Sequence, residues 1–556
     1  MLRNLEKHQK YKSSYRPNDF YWGLGVEHET YFETSKMKQV SLKELKENRG
    51  VERYSVNYYS VYTPSIFSSA LDGLFDENEK ILLPILANSH TFQKTDLNGE
   101  HKTTYERIPK PNLKFGGKTI FEWMKEQNPD VFVEDYEKSY LFDGDTIEFM
   151  TQKYYKTTVQ AVIDELTQVE KEFMRALNSL PREGILKTYG PFKIAQKNYP
   201  FASYLTNLKN NAMFNNGTFH INITLPTKLD EKAEIADFEL FRKQHQNLAR
   251  AIQWISPLLV ANYGAYDPLS ESKVNGEKYA AGSQRIAVSR YIGLGTFDTD
   301  KMPIGKILTQ KRELLENLDW YESFHKNTDY KFLDELGLDI NFNKHYCHGL
   351  EFRILDSLPI NELEDIITLI VYLADLSLDI ELQNPLKTKL WHRITENCVQ
   401  NGRGYLMDVS DQNELFNLFN VVHISKEPLP TSDILSIITS QLAVIYKDGI
   451  CVRYMIRGEK PENDTTTNDK NKQVENPKEE EKPTEEGNQS STEQPTQQTE
   501  PTQPAQPTQQ TEQIQQTQPA QPTQPTENKQ QEEKVADIRL EEPPLVSLKT
   551  SGFCCC

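Results

Sequence analysis

Four stretches, far apart in the chain, repeat one pattern: apolar residues alternate with acids, imidazole, amide or guanidinium. The first, Tyr21–Phe32 (YWGLGVEHETYF), is rich in β-branched and aromatic residues and opens with two glycines, which predicts a strand. Side chains alternate faces along a strand, so Glu27 and Glu29 share one face while Val26, Thr30 and Phe32 turn toward a core. Asp143-Gly144 signals a tight turn. The strand after it sets Thr146, Glu148 and Met150 against Ile147 and Phe149. Asn216-Gly217 is a second turn, and beyond it Phe219, Ile221, Ile223 and Leu225 alternate strictly with His220, Asn222 and Thr224. In Cys347–Asp356, Leu350, Phe352 and Ile354 face a core and Glu351 and Arg353 face away.

Between these stretches the period changes to that of a helix. Val162, Leu166, Val169, Phe173 and Leu177 predict a helix over Thr157–Leu180. Phe238–Ala265 and Glu362–Leu382 read as long helices, and Ser65–Leu83, Lys118–Glu126, Asn413–Phe419 and Ser432–Tyr446 as weaker ones. The apolar runs Ala251–Val260 and Ile366–Leu378 fit buried helices rather than membrane spans: one is too short and the other carries Asp375. Val51–Tyr62 is expected to form a strand pair and Glu100–Pro111 a polar loop. Ala281–Thr299, rich in Ser and Gly with Arg285, Ser289 and Arg290, reads as a loop able to approach a ligand. Strands and helices together indicate an α+β fold.

Composition divides the chain. Residues 1–457 hold the aromatic and aliphatic content of one large or two coupled domains. Residues 458–536 are Pro, Thr, Gln, Glu, Lys and Asn, with Pro-Thr-Gln units repeated between Pro495 and Pro525. Such a segment cannot bury enough apolar surface to offset chain entropy, and a disordered spacer is expected. Residues 537–556 end in Cys554-Cys555-Cys556. This is not a CaaX box, since Phe553 stands fourth from the end. A terminal cysteine cluster suits S-acylation or prenylation and a membrane tether, and equally suits unmodified thiols.

The formal net charge of −18 argues against non-specific nucleic-acid binding. Met1–Tyr15 lacks the apolar core of a signal peptide. Cys347, Cys398 and Cys451 are far apart and form no disulfide framework, so a reducing, cytoplasmic setting is expected.

If the four patterned strands are neighbours in one antiparallel sheet, their polar faces form a wet surface holding Glu27, Glu29, Glu148, His220 and Glu351, with Arg353 alongside. Carboxylates with one imidazole suit Mg²⁺ or Mn²⁺. So many acids exceed the need of one ion; two or more ions clamping a polyphosphate use them all, with Arg353 beside the transferred phosphoryl group. Each motif alone has a plain reading: a solvated Glu-x-Glu face, a structural histidine, a surface Glu351–Arg353 pair worth little, a turn at Asp143. His345 and His348 read as loop histidines, and Cys347 lacks a base partner. The combination, in order along the chain, carries the weight.

Gly25-Val-Glu27-His-Glu29, Asp143-Gly-Asp-Thr-Ile-Glu148, Phe219-His220-Ile-Asn222-Ile and Glu351-Phe-Arg353 resemble, in that order, the motif strands of the glutamine synthetase-like carboxylate–amine ligases (amidoligases), which include the glutamate–cysteine ligases. The helix around Leu248–Trp254 and Pro257–Val260 is also similar to theirs. The resemblance spans roughly residues 20–385. It implies a curved antiparallel sheet backed by helices. It further implies metal binding by Glu27, Glu29, Glu148, His220 and Glu351. Arg353 would contact the phosphoryl group, and Asn222 with Arg285 or Arg290 the nucleotide or the substrate carboxylate; Glu351, Arg353 and Arg290 are the implied catalytic groups. The implied reaction has Mg-ATP phosphorylate a carboxylate, which a small-molecule or peptide amine then attacks to form an amide or isopeptide bond. Two other readings compete: a scaffold that has lost turnover and acts through its tail, and a metal-dependent hydrolase that needs no ATP.

Overall fold

The first patterned stretch runs on as one long strand path with a break at Tyr31, so that β1 (Phe20–Thr30) and β2 (Phe32–Ser41) serve two different sheets. The computed structural model describes residues 20–47, 79–104, 110–152, 158–199, 201–213, 217–228, 230–231, 235–264, 273–274, 277–278, 299–301, 349–447, 449 and 451. The chain divides into two units, Met1–Asn468 and Asp469–Cys556, and all described residues belong to the first.

The remaining strands of the two five-stranded sheets are β3 (Lys80–Ala87), β4 (Tyr140–Asp143), β5 (Thr146–Met150), β6 (Lys193–Ile194), β7 (Phe201–Tyr204), β8 (Asn207–Met213), β9 (Thr218–Lys228) and β10 (Leu350–Asp356). The helices that matter here are α1 (Ile120–Gln127), α2 (Val159–Asn178), α3 (Phe238–Tyr263), α4 (Ile360–Asp379), α5 (Lys389–Asn401), α6 (Val409–Leu418) and α7 (Thr431–Tyr446). The architecture is α+β.

All four patterned stretches lie in one sheet of order β10–β9–β1–β5–β4, antiparallel throughout. The second sheet, β8–β7–β3–β2–β6, is mixed because β3 and β7 run parallel. In the first sheet Val26, Ile147, Phe149, Phe219, Ile221, Ile223, Leu350 and Phe352 turn to one side and are buried. There α2 packs on β1 and β5, α3 packs on β9 and β10, and α4 packs against both helices. The opposite face of the sheet receives the polar partners of the alternation.

Local chemistry sets the helix starts. Thr158 accepts from the Ala161 N–H and Asp237 from the Leu240 N–H, while Thr119 and Glu122 form a reciprocal capping box. Pro257 lies inside α3, where its missing N–H frees the carbonyl of Gln253. The indole Nε1 of buried Trp391, on α5, donates to that carbonyl at 2.8 Å. The freed acceptor is thus satisfied by another helix.

Several expectations change. The helix expected over Ser65–Leu83 does not hold at its end, since Lys80–Ala87 is a strand. A short apolar run fits either element by period, and Pro84 decides against a helix interior. Pro84 sits where the β2–β3 register shifts, a place that tolerates a missing donor. The loop expected at Glu100–Pro111 includes a small ladder, Thr103–Thr104 against Lys110–Pro111. The α5 helix had no counterpart in the reading above, although Leu390, Trp391, Ile394 and Cys398 have helical spacing and are buried. Val51–Tyr62, most of Ser65–Leu83, Ala281–Thr299 up to residue 298, His345, Cys347, His348, the spacer and the terminal cysteines lie outside the described residues. No described helix is long and apolar enough to cross a membrane.

Candidate metal centre

Strand register builds the site. Glu27 faces His220 across β1–β9, Glu29 faces Glu148 across β1–β5, and Asn222 faces Glu351 across β9–β10. Between the pairs Phe219–Leu355 and Ile221–Phe352 the register shifts, so that Arg353 and Ile354 together stand opposite His220. This bulge lets Ile354 stay in the core while Arg353 remains on the polar face.

Glu27, Glu148, His220, Asn222 and Glu351 are all buried, and Glu29 is partly so. His220 Nδ1 lies 3.2 Å from Glu27 Oε2 and 3.7 Å from Glu351 Oε1, and its Nε2 lies 3.7 Å from Glu29 Oε1. Thr218 Oγ1 is 2.8 Å from that Nε2. Asn222 Nδ2 donates to Glu27 Oε1 at 3.2 Å. Arg353 reaches Glu351 at 3.4 Å and Glu29 at 3.7 Å.

Ligand atoms of Glu27, His220 and Glu351 lie within 4.8 Å of one another, as do those of Glu29, Asp143 and Glu148. Two adjacent three-ligand groups therefore share one sheet face. Glu29 and Glu148 are directly opposite each other, which like charges disfavour unless a cation intervenes. Burial, with the Arg353 guanidinium, lowers His220 to about 4 against the opposing pull of Glu27, so its imidazole is neutral near pH 7. The Nδ1 edge of the ring faces the Glu27 and Glu351 carboxylates, and the Nε2 edge faces the Thr218 hydroxyl.

The donor set fits hard divalent cations: carboxylates, one neutral imidazole and a buried amide oxygen, Asn222 Oδ1, that has no hydrogen-bond partner. Glu27, Glu29, Glu148, His220, Asn222, Glu351 and Arg353 are thus brought together as the alternation predicted. Arg285 and Arg290 lie outside the described residues.

Asp143 and Thr218 join the site without having been singled out as ligands. Asp143 reads in sequence only as a turn residue; it ends β4 beside Gly144, whose φ of +49° closes the hairpin. His28, between the two acids in sequence, faces the other way. Its Nδ1 is 2.6 Å from Glu170 on α2 and its ring stacks on Phe219 at 4.0 Å, so it ties β1 to the helix layer.

The fold and the site together define an α+β protein that carries clustered acids and an imidazole on the polar face of an antiparallel sheet. No family model matches the chain. "Uncharacterized protein R704" of Acanthamoeba polyphaga mimivirus is 38% identical over 460 residues, covering 82% of this chain and 80% of that protein. The chain belongs to the family of that mimivirus protein.

Proposed function

We propose that the protein is an ATP- and Mg-dependent carboxylate–amine ligase with a glutamine synthetase-like fold, related to the glutamate–cysteine ligases. The observation that carries this reading is the convergence of five carboxylates, one neutral imidazole and Arg353 on one sheet face from β1, β4, β5, β9 and β10. An antiparallel sheet with acids on one face and helices on the other supports the finer fold assignment, as does the order of the motifs along the chain.

Glu27, His220 and Glu351 would hold one divalent ion, and Glu29, Asp143 and Glu148 a second. Mg²⁺ or Mn²⁺ bound there supplies charge neutralisation for a triphosphate. The chain's own groups do the rest. Arg353, partly exposed beside Glu29 and Glu351, is positioned to bind phosphoryl oxygens where charge develops. Asn222 orients Glu27, and Thr218 holds the His220 ring. In the reaction, a carboxylate oxygen attacks the terminal phosphorus of ATP and ADP leaves. The amine nitrogen then attacks the acyl carbon, phosphate departs, and the nitrogen loses a proton.

The test is ADP release by the full chain with Mg-ATP and a panel of carboxylates and amines. ADP is expected only with a particular pair, and Glu351→Gln should lower it at least about a hundredfold. ADP release that needs no acceptor, or that survives Glu351→Gln, sinks the ligase.

A further inference from the structure

The polar face continues past the acid cluster to the end of the β9–β10 pair, where Thr218 faces Asp356. Asp356 is 1% exposed, and Asn198 and Ser357 are 6% and 5% exposed. Asn198 has a fixed orientation. Its Nδ2 donates to the Gly217 carbonyl at 2.9 Å and to Asp356 Oδ1 at 3.1 Å, both acceptors, so the amide oxygen must point elsewhere. Asn198 Oδ1 has no partner, and neither has Ser357 Oγ. Both oxygens press on one side of Gly217: a Cβ there would stand 2.7 Å from the first and 2.2 Å from the second. They are therefore within reach of a single bound atom.

Buried polar atoms in folded proteins are nearly always hydrogen-bonded, so two unpaired oxygens beside a carboxylate call for a donor. We infer that Asn198, Ser357 and Asp356 form a subsite for a primary ammonium group. An –NH₃⁺ head has three donors and no acceptor, the complement of these oxygens. Asp356 favours a cationic donor over neutral water, because hydrogen bonds gain strength when both partners are charged. A Mg²⁺ ion, which demands six near-ideal ligands, matches the set poorly.

The subsite is adjacent to the acid cluster. Thr218, which touches His220, lies two residues before it, about 6.6 Å along the strand. That the ammonium belongs to a ligase substrate rests on the function proposed above; the subsite itself does not. A free ammonium ion shares the chemistry, and the experiment separates the two sources.

The experiment is thermal unfolding of the full chain in EDTA with methylammonium, ammonium or tetramethylammonium chloride at equal ionic strength. Methylammonium should raise Tm, and tetramethylammonium, which has no N–H, should not. Ser357→Ala, which keeps the backbone bond from residue 357 to Gly217, should abolish the methylammonium shift and, in separate melts with Mg²⁺ and no EDTA, keep any shift caused by Mg²⁺. Ser357→Thr, which keeps the hydroxyl, should restore the methylammonium shift. A primary amine from the substrate panel acting at a tenfold lower concentration than ammonium chloride identifies a substrate head group; equal concentrations identify the free ion. Equal shifts from methylammonium and tetramethylammonium, or a shift that survives Ser357→Ala, overturn the assignment. A methylammonium shift without ADP release in any pairing removes the ligase and leaves the subsite.

Discussion

His245 offers the sharpest physical test, because both of its ring nitrogens have backbone partners. It is fully buried on α3; its Nδ1 lies 2.8 Å from the Phe241 carbonyl, and its Nε2 accepts the Leu225 N–H at 3.0 Å. That pair of bonds requires the neutral Nδ1–H tautomer. Protonation would place a second proton against a backbone N–H. Burial is the cause that lowers its pKa from 6.5 to about 4.

A histidine lowered on folding binds a proton in the unfolded chain first. Stability is therefore complete above pH 6.5 and falls as pH drops toward 4. The gap corresponds to about 3 kcal/mol at about 1.36 kcal/mol per pH unit. Urea unfolding of wild type and His245→Gln, followed by tryptophan fluorescence from pH 7.5 to 4, isolates this group. His220 titrates in the same direction in both proteins and cancels. Wild type should lose about 3 kcal/mol more than the variant across the range. Parallel curves, or a ¹³C-histidine NMR titration placing His245 near 6.5, would refute the reasoning.

Other outcomes follow from the same structure. Glu148→Gln should stabilise the metal-free protein by up to about 1 kcal/mol, by removing a like charge opposite Glu29, yet abolish a Mg²⁺-dependent rise in Tm; calorimetry with EDTA and with Mg²⁺ reads both signs. Trp391→Phe should cost about 1–3 kcal/mol through loss of its hydrogen bond to the Gln253 carbonyl, seen as a lower urea midpoint. Gly349→Ala should destabilise by more than about 2 kcal/mol, since φ is +71° and the new Cβ would meet the Ile223 carbonyl at 2.6 Å and His245 at 2.7 Å; a thermal melt checks it.

Four of the five strands of the first sheet were legible because one buried face forces strict alternation, and the acids, His220 and Arg353 came with them. Only tertiary structure could add the register that sets Glu29 against Glu148. The second sheet was harder to see. In β2, Thr34–Gln39 are mostly solvent-facing and carry no apolar period. Asp143 was hidden because turn chemistry alone explains an Asp-Gly pair. Asn198 and Ser357 meet over Gly217 across 159 positions of chain and leave no local signature. His28 shows the reverse: a histidine flanked by acids looks like a ligand in sequence, and parity alone sends it to the helix side.

The Pro257–Trp391 contact bears on how the protein emerges from the ribosome. The longest described helix carries a break in its own ladder, and the group that closes it is made more than a hundred residues later. Until Trp391 leaves the exit tunnel, α3 lacks the indole bond that closes this break. The helical layer formed by α2, α3 and α4 is therefore completed only once α5 has been made. A chain stopped short of α5 should be less stable than the full chain, even with every residue of the acid cluster already made.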